Sequence, residues 1–267
     1  MNLLHNFLIK LKYRIREIIS YFFNYTKPMP SDRLRVVIFA QPRTGSTLLE
    51  SLLCSTGHFH SHGELLNSKI SKTKILFPLS FIRGLSKWKY QNNFIFGLKI
   101  GHLTKPRKYP INPTLFMETL YKDGWKIIYL RRRNKVKQYL SMLVVKSRVP
   151  SQQFAWHKFD DNPEELNISI DCDEFVKGIE TKIQRNALEK KVLANIEYHE
   201  VIYEDDLEQP QSHQKTVDRI LNYLSLEPRL ASTSHRKVNT HSPEELISNY
   251  EEFVECLRKS GWDKFVE

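Results

Sequence analysis

Cysteine is scarce in this chain of 267 residues, which contains only Cys54, Cys172 and Cys256. The three are widely spaced and odd in number, so we infer that no disulfide framework holds the fold and that the chain suits a reducing, cytoplasmic compartment. Glycine and proline are also few, at 9 and 12 residues, which excludes a low-complexity or collagen-like chain. No apolar run reaches the roughly 18 residues that a membrane-spanning helix requires.

Acidic residues are outnumbered, with 30 Asp and Glu against 41 Lys and Arg, so the formal net charge is +11. Such an excess suggests an anionic partner, although ordinary solubility charge is the simpler alternative. Nucleic-acid platforms interleave aromatic and basic residues on a sheet, and we find no such stretch. We therefore expect no nucleic acid, and the remaining partner classes are a nucleotide, a sulfated or phosphorylated substrate and a membrane surface.

The N-terminal segment combines an apolar stripe with basic flanks. The apolar residues recur at helical spacing: Leu4, Phe7, Leu8, Leu11, Ile15, Ile18, Ile19 and Phe22. The flanking basic residues are Lys10, Lys12, Arg14 and Arg16. We predict an amphipathic helix over residues 1–27 and a linker over 28–33. The helix suits peripheral contact with a membrane through residues 3–22, and it equally suits docking on the protein's own surface.

Residues 34–267 alternate predicted strands with predicted helices. This alternation indicates a single α/β domain with a central, mostly parallel sheet flanked by helices. The predicted strands cover residues 35–41, 94–100, 126–130 and 197–203. The predicted helices begin near residue 46 and cover residues 115–121, 136–144, 173–195, 216–224 and 244–259. We predict a long loop over 154–170, because that segment has no clear period.

A phosphate-binding turn is predicted between the first strand and the helix after it. The turn has the sequence Pro42-Arg43-Thr44-Gly45-Ser46-Thr47. Gly45 allows close approach to an anion, the backbone amides of Ser46 and Thr47 open the helix, and Arg43 adds positive charge. A nucleoside-triphosphate loop would have lysine at position 46, which argues against a magnesium-dependent kinase. An ordinary strand–turn–helix is the plainer alternative.

Three consecutive arginines, Arg131, Arg132 and Arg133, follow the strand over residues 126–130. Ser141 lies eight residues after Arg133, on the following helix. An arginine at the ligand edge of a sheet and a serine two turns along a helix can together hold a second phosphate. The alternative is a solvated basic turn.

The two motifs together resemble the PAPS-dependent sulfotransferases, which use 3′-phosphoadenosine 5′-phosphosulfate (PAPS) as donor. In that family a P-[KR]-[ST]-G-[ST]-[ST] turn holds the 5′-phosphosulfate, which implies this role for residues 42–47, with Arg43 stabilising the leaving phosphate. An arginine and a serine eight residues later hold the 3′-phosphate, which implies that role for Arg133 and Ser141. Tyr203 begins a Y-E-D-D-L stretch similar to the family's Y-E-D-L, which implies a place near the adenine. The resemblance covers about residues 35–265 and implies a P-loop-like fold with no metal ion.

Residues 57–67 are similar to the bacterial carbohydrate sulfotransferases, which act on lipo-oligosaccharides, trehalose and lipopolysaccharide. In that group a glutamate about 19 residues after the turn glycine is the proposed base, which implies Glu64. The likeness also implies a carbohydrate or glycolipid hydroxyl as acceptor. The cytosolic aryl and steroid enzymes instead carry a catalytic histidine in K-[ST]-H, and here Lys99 and His102 depart from that spacing by one residue.

Two other functions remain open at the level of the sequence: a nucleotide-dependent small-molecule kinase and a non-catalytic basic module that binds membranes. A metal site formed by His58, His60 and His62 is disfavoured. The three side chains would share one face only in an extended segment, and we predict a loop there.

Overall fold

The computed structural model describes residues 2–71, 73–88, 93–105, 110–148, 168–235 and 242–263. Its centre is a sheet of five strands in the order β2-β3-β1-β4-β5, and every neighbouring pair is parallel. The strands are Arg35–Ala40 (β1), Phe59–Ser61 (β2), Asn93–Leu98 (β3), Lys126–Arg131 (β4) and His199–Ile202 (β5). The predicted α/β domain with a central parallel sheet is confirmed.

Helices flank the sheet on both faces. The longer ones are Asn2–Thr26 (α1), Ser46–Ser55 (α2), Pro78–Ser86 (α4), Pro113–Lys122 (α6), Lys135–Arg148 (α7), Cys172–Val192 (α8), His213–Tyr223 (α10) and Tyr250–Lys259 (α12). The short ones are Ser68–Ser71 (α3), Ile100–Thr104 (α5), Tyr203–Asp206 (α9) and Pro243–Leu246 (α11). In the described part of the chain, no helix is long and apolar enough to cross a membrane.

Several elements differ from the sequence-based expectations, and three of them bear on the fold. The predicted loop around the histidines contains β2, which pairs with β3. The segment Pro78–Ser86 was not predicted, and it forms α4. The predicted helix over 244–259 is two helices, because Ile247 pairs with Ile168 between them. Most of the predicted loop over 154–170 lies outside the described residues.

The sheet separates the hydrophobic core into two parts, one on each face. Along β1, Val36, Ile38 and Ala40 pack with α2 and α10 on one face, whereas Val37 and Phe39 pack with α4 and α6 on the other. This alternation follows from side chains pointing to opposite faces of a strand. A strand covered on both faces is expected to be apolar, as β1 is from Val36 to Ala40.

A disulfide joins Cys172 at the start of α8 to Cys256 in α12, with 5.9 Å between the two Cα atoms. The sequence-based inference of a chain without disulfide bonds is therefore corrected, and Cys54 is the free cysteine. The pair lies 84 residues apart in the chain, and only the packing of α8 against α12 brings it together. Disulfides persist in oxidising compartments, so the argument from cysteine content to a reducing compartment does not stand.

Candidate active site

The candidate site lies where the chain order of the sheet reverses. After β1 the chain passes to β2 and β3 on one side of β1, whereas β4 and β5 lie on the other side. Open α/β sheets bind ligands at such a switch point, beyond the carboxyl ends of the strands. The turn over residues 42–47 follows β1, and the three arginines end β4, so both predicted motifs lie at this edge.

Gly45 lies within the turn and is the N-cap of α2. Its φ of 88° is left-handed, a conformation that glycine adopts without strain. The first helical hydrogen bond runs from the Leu49 amide to the Gly45 carbonyl, 3.0 Å. The amides of residues 46–48 therefore precede the first bonded turn and have no acceptor within the helix. Together with the helix dipole they form a cradle for an anion.

Side chains from within the turn and from α7 hold it in place. Thr44 Oγ1 donates to the Gln41 carbonyl at 2.8 Å, and Gln138 Nε2 donates to the Pro42 carbonyl at 2.9 Å. Arg43 has a φ of 68°, which is uncommon for a residue with a side chain. The contacts on either side of Arg43 stabilise this backbone conformation.

Arg43 and Ser141 are in direct contact. Arg43 Nε donates to Ser141 Oγ at 3.1 Å, across 98 residues of sequence. Burial, followed by the nearby charge of Arg132, lowers the pKa of the Arg43 guanidinium. Arg43 belongs to the first predicted phosphate motif and Ser141 to the second. Their contact therefore joins the two motifs.

Arg133 and Arg132 lie in different surroundings. The Arg133 guanidinium pairs with Asp205 and its side chain is 50% exposed. Arg132 lies over the Tyr203 ring, 4.5 Å from its centroid, and donates to the Arg43 carbonyl at 3.5 Å. Sequence reasoning singled out Arg133 and missed Arg132, although three consecutive arginines at a strand end were the available signal.

Tyr203 packs directly against the turn. A Cβ atom on Gly45 would lie 2.8 Å from Tyr203 Cδ2, so this contact requires glycine. The ring lies between the turn and Arg132 and offers an apolar surface with a cation on it. A flat aromatic base is a ligand that such a surface can stack.

Glu64 lies beside two basic side chains. Its carboxylate pairs with Lys99, lies 3.6 Å from His102 Nε2, and accepts from Asn67 Nδ2 at 2.7 Å. Burial alone would raise the pKa of Glu64, but the charge and hydrogen bond of Lys99, with smaller contributions from His102 and Asn67, outweigh it and lower the pKa. The predicted base is therefore held ionised, with the candidate histidine at its side.

Lys182 was not predicted to belong to the site. Its side chain is 1% exposed, and among the described residues its Nζ has no hydrogen-bond partner. Its carbonyl accepts from Gln41 Nε2 at 3.1 Å, which fixes α8 against the start of the turn. Burial, then repulsion by Arg185 and Lys135, lowers the pKa of Lys182 to about 8. An unpaired buried ammonium costs free energy, and a bound anion would offset that cost.

The register of α8 could have revealed Lys182. Phe175 and Ile179 occupy the buried face, and the next position of that face is Lys182. Ile183, four residues after Ile179, is 38% exposed. Glu189 lies further along the same face, and burial raises its pKa to about 7 although Gln41 and Tyr129 donate to it.

The histidines of residues 58–62 are used in packing. The His62 ring stacks on Phe94 with 4.1 Å between centroids, and burial lowers its pKa to about 3. His58 Nε2 is bonded to the Glu227 carbonyl at 2.9 Å. Among the residues that the structure describes, no group of three His, Cys, Asp or Glu side chains is arranged to hold a metal ion.

Comparison with known proteins identifies the fold. No family model and no curated protein matches the sequence. A crystal structure of a sulfotransferase from Alicyclobacillus acidocaldarius aligns with a TM-score of 0.50 and 12% identity, over 88% of this chain and 96% of that one. The chain has the fold of that sulfotransferase. A shikimate kinase from Bacteroides thetaiotaomicron aligns less well, with a TM-score of 0.41 and 15% identity, over 72% of this chain and 99% of that one.

On this sulfotransferase fold, most of the predicted site residues lie close together. Arg43, Ser141 and Tyr203 meet at the turn, whereas Glu64 lies with Lys99 and His102 beyond the end of β3. Arg133 was also predicted to belong to the site, but its side chain pairs with Asp205 and not with Ser141.

Proposed function

We propose that the protein is a PAPS-dependent sulfotransferase that transfers a sulfuryl group to a hydroxyl of a carbohydrate or glycolipid. The main support is the contact between Arg43 and Ser141 at a turn that has no Walker lysine. The contact brings a cation of the turn, suited to the 5′-phosphosulfate, next to a hydroxyl of α7, suited to the 3′-phosphate of the same donor. The fold shared with a sulfotransferase is consistent with this assignment.

The residues present fit such a donor. The amides of residues 46–48 and the Arg43 guanidinium would hold the 5′-phosphosulfate, Ser141 with Arg133 or Arg132 the 3′-phosphate, and the Tyr203 ring the adenine. The unpaired ammonium of Lys182 lies close enough to Lys99 and Lys135 to be repelled by both. Glu189 attracts both Lys135 and Lys182, and a donor with several negative charges would add to that attraction.

Sulfuryl transfer requires one group to stabilise the leaving phosphate and another to accept the proton of the acceptor hydroxyl. The acceptor oxygen forms a bond to sulfur while the bond from sulfur to the phosphate oxygen breaks, and the leaving 3′,5′-ADP takes the electron pair. Arg43 stabilises that developing charge, as in phosphoryl transfer. The proton of the acceptor hydroxyl passes to the Glu64 carboxylate, which Lys99 and His102 keep ionised before the reaction.

Ligand-dependent stability tests the donor assignment. We expect 3′,5′-ADP to stabilise the protein without magnesium, by about 2.7 kcal/mol at 100 times its dissociation constant. Thermal unfolding is measured with 3′,5′-ADP, with 5′-AMP, and with ATP and Mg²⁺. Equal stabilisation by 5′-AMP would remove the 3′-phosphate role of Arg133 and Ser141. A preference for ATP with Mg²⁺ would favour a kinase instead.

A further inference from the structure

The docked face of α1 contains buried polar groups. Glu17 and Ser20 are 2% and 0% exposed. Glu17 accepts hydrogen bonds from Tyr21 Oη at 2.5 Å and from the Leu76 amide at 2.7 Å. A Cβ on Gly84 of α4 would lie 1.6 Å from the Ser20 carbonyl oxygen, so the two helices meet backbone to backbone. These contacts fix the rotation of α1 about its axis.

The opposite face of α1 is apolar and faces away from the protein. We call it the α1 outer face, and it comprises Phe7, Leu8, Leu11, Ile15, Ile18 and Phe22. Every member is at least 44% exposed, and Ile18 is 65% exposed. An amphipathic helix normally buries its apolar face in its own core. Here the polar contacts prevent that, and a continuous apolar strip along several helical turns is left uncovered by the described residues.

Positive charge borders the α1 outer face on both sides. Lys12 is four residues from Leu8 and three from Ile15, which places it along one edge. Arg14, at three and four residues from Leu11 and Ile18, lies along the other edge. The single acidic residue of α1, Glu17, is buried on the docked face and paired with Arg14. The exposed part of the helix therefore presents apolar side chains between cations.

We propose that the α1 outer face lies in the interface of a membrane with anionic lipids and holds the protein on that surface. Apolar side chains between basic edges are the pattern of helices that lie in the headgroup region, where the cations meet anionic headgroups. Phe77, which is 51% exposed and whose ring centroid lies 5.9 Å from that of Tyr21, adds apolar surface beside the helix. A second copy of the chain would bring the basic edges of two helices together, and that repulsion disfavours a dimer through this face.

The docked helix also contacts the segment that carries the candidate base. Arg16 Nη2 is bonded to His62 Nδ1 at 3.0 Å, and Glu64 lies two residues further along the chain. Membrane attachment through α1 would thus hold the Glu64 end of the site near the lipid surface. We infer that the acceptor is a hydroxyl of a membrane-borne glycolipid, and this part rests on the proposed function.

Vesicle sedimentation tests the docking. The full chain is mixed with vesicles of phosphatidylcholine alone or with about 30% phosphatidylglycerol, at low and high salt. We expect binding to the anionic vesicles that weakens with salt, and an at least tenfold loss in the double variant Ile15→Glu/Ile18→Glu. Leu230→Glu is the matched control, since Leu230 is an exposed leucine outside α1, and it should bind like the unmodified protein.

Separate readouts distinguish the two proposals. The double variant should bind 3′,5′-ADP normally, and it should lose turnover on glycolipid extract in vesicles but keep it on extract dissolved in detergent. Vesicle binding without 3′,5′-ADP binding would leave the docking standing and reject the proposed function. Undiminished vesicle binding by the double variant would overturn the docking. So would a lipid-free dimer that the double variant dissociates, because the α1 outer face would then join two copies of the chain.

Discussion

Among the lysines of the candidate site, Lys182 is the most deeply buried. Its ammonium is buried and has no hydrogen-bond partner among the described residues. With a pKa of about 8 it is mostly charged at neutral pH. A buried charge of this kind destabilises the free protein and is relieved when an anion binds. Ligand binding and stability are therefore opposed at this residue.

Replacement of Lys182 by methionine should separate these two effects. We expect Lys182→Met to stabilise the free protein by about 1–3 kcal/mol, because an apolar chain of similar volume replaces an unpaired charge. The same variant should bind 3′,5′-ADP at least tenfold more weakly. Thermal unfolding with and without 3′,5′-ADP measures both. Lys177→Met is the matched control, since Lys177 is an exposed lysine on the same helix, and it should change neither quantity.

The pH dependence gives a second check on Lys182. Its folded pKa of about 8 is below the ordinary value of 10.5, so the unfolded chain holds the proton more strongly between these values. The cost of burying the charge is full below about pH 8 and disappears as the pH rises towards 10.5. The advantage of Lys182→Met should therefore shrink between pH 8 and 10. A constant advantage across that range would mean that the charge of Lys182 is not its cause.

Glu64 and Arg43 should respond differently to substitution. Glu64→Gln keeps the size of the side chain but cannot accept a proton, so turnover should fall about 10²-fold or more while the affinity for 3′,5′-ADP stays within a few-fold. Arg43→Ala should lower both, because in the proposed function Arg43 holds the bound donor and stabilises the leaving phosphate. The assay is transfer from labelled PAPS to a glycolipid extract. Near-full turnover in Glu64→Gln, with loss in His102→Ala, would assign the base to the histidine.

At the scale of elements, the sequence pattern predicted those strands and turns whose structure depends on neighbouring residues alone. β1, β3 and β4 are runs of β-branched and apolar residues, and each was predicted within two residues of its observed ends. The turn over 42–47 was also predicted, because strand end, glycine and helix start are adjacent in sequence. These features follow from the residues themselves and need no distant partner.

The elements that were missed depend on distant partners. β2 has three residues, of which only Phe59 is buried, so it becomes a strand only by pairing with β3. Gly84 looks like a helix breaker, yet α4 contains it because the Ser20 backbone of α1 approaches there. The backbone carbonyl of Lys182 accepts from Gln41, which is 141 residues away in the chain. No pattern within one segment contains such contacts.

At the scale of the whole molecule, the disulfide closes a long covalent loop. Cys172 and Cys256 are 84 positions apart in the sequence, and the segment between them includes β5 and α10. They connect the two ends of a cluster in which α7, α8 and α12 pack through Val136, Phe175 and Phe253. The bond restricts the unfolded chain over about a third of its length. In the chain-entropy account, a disulfide stabilises the folded protein by lowering the conformational entropy of the unfolded chain.

Loss of this disulfide should lower the free energy of unfolding. Chain entropy sets an upper bound of about 4.5 kcal/mol for a loop of 84 residues, and about 2–4 kcal/mol is typical. We expect a fall in that range for the double variant Cys172→Ala/Cys256→Ala, measured by denaturant unfolding. Cys54→Ala is the matched control, because Cys54 is the free cysteine. Reductant should destabilise the unmodified protein and Cys54→Ala equally, because both contain the bond, and should leave the double variant unchanged. A double variant as stable as the oxidised protein would show that helix packing alone holds α8 against α12.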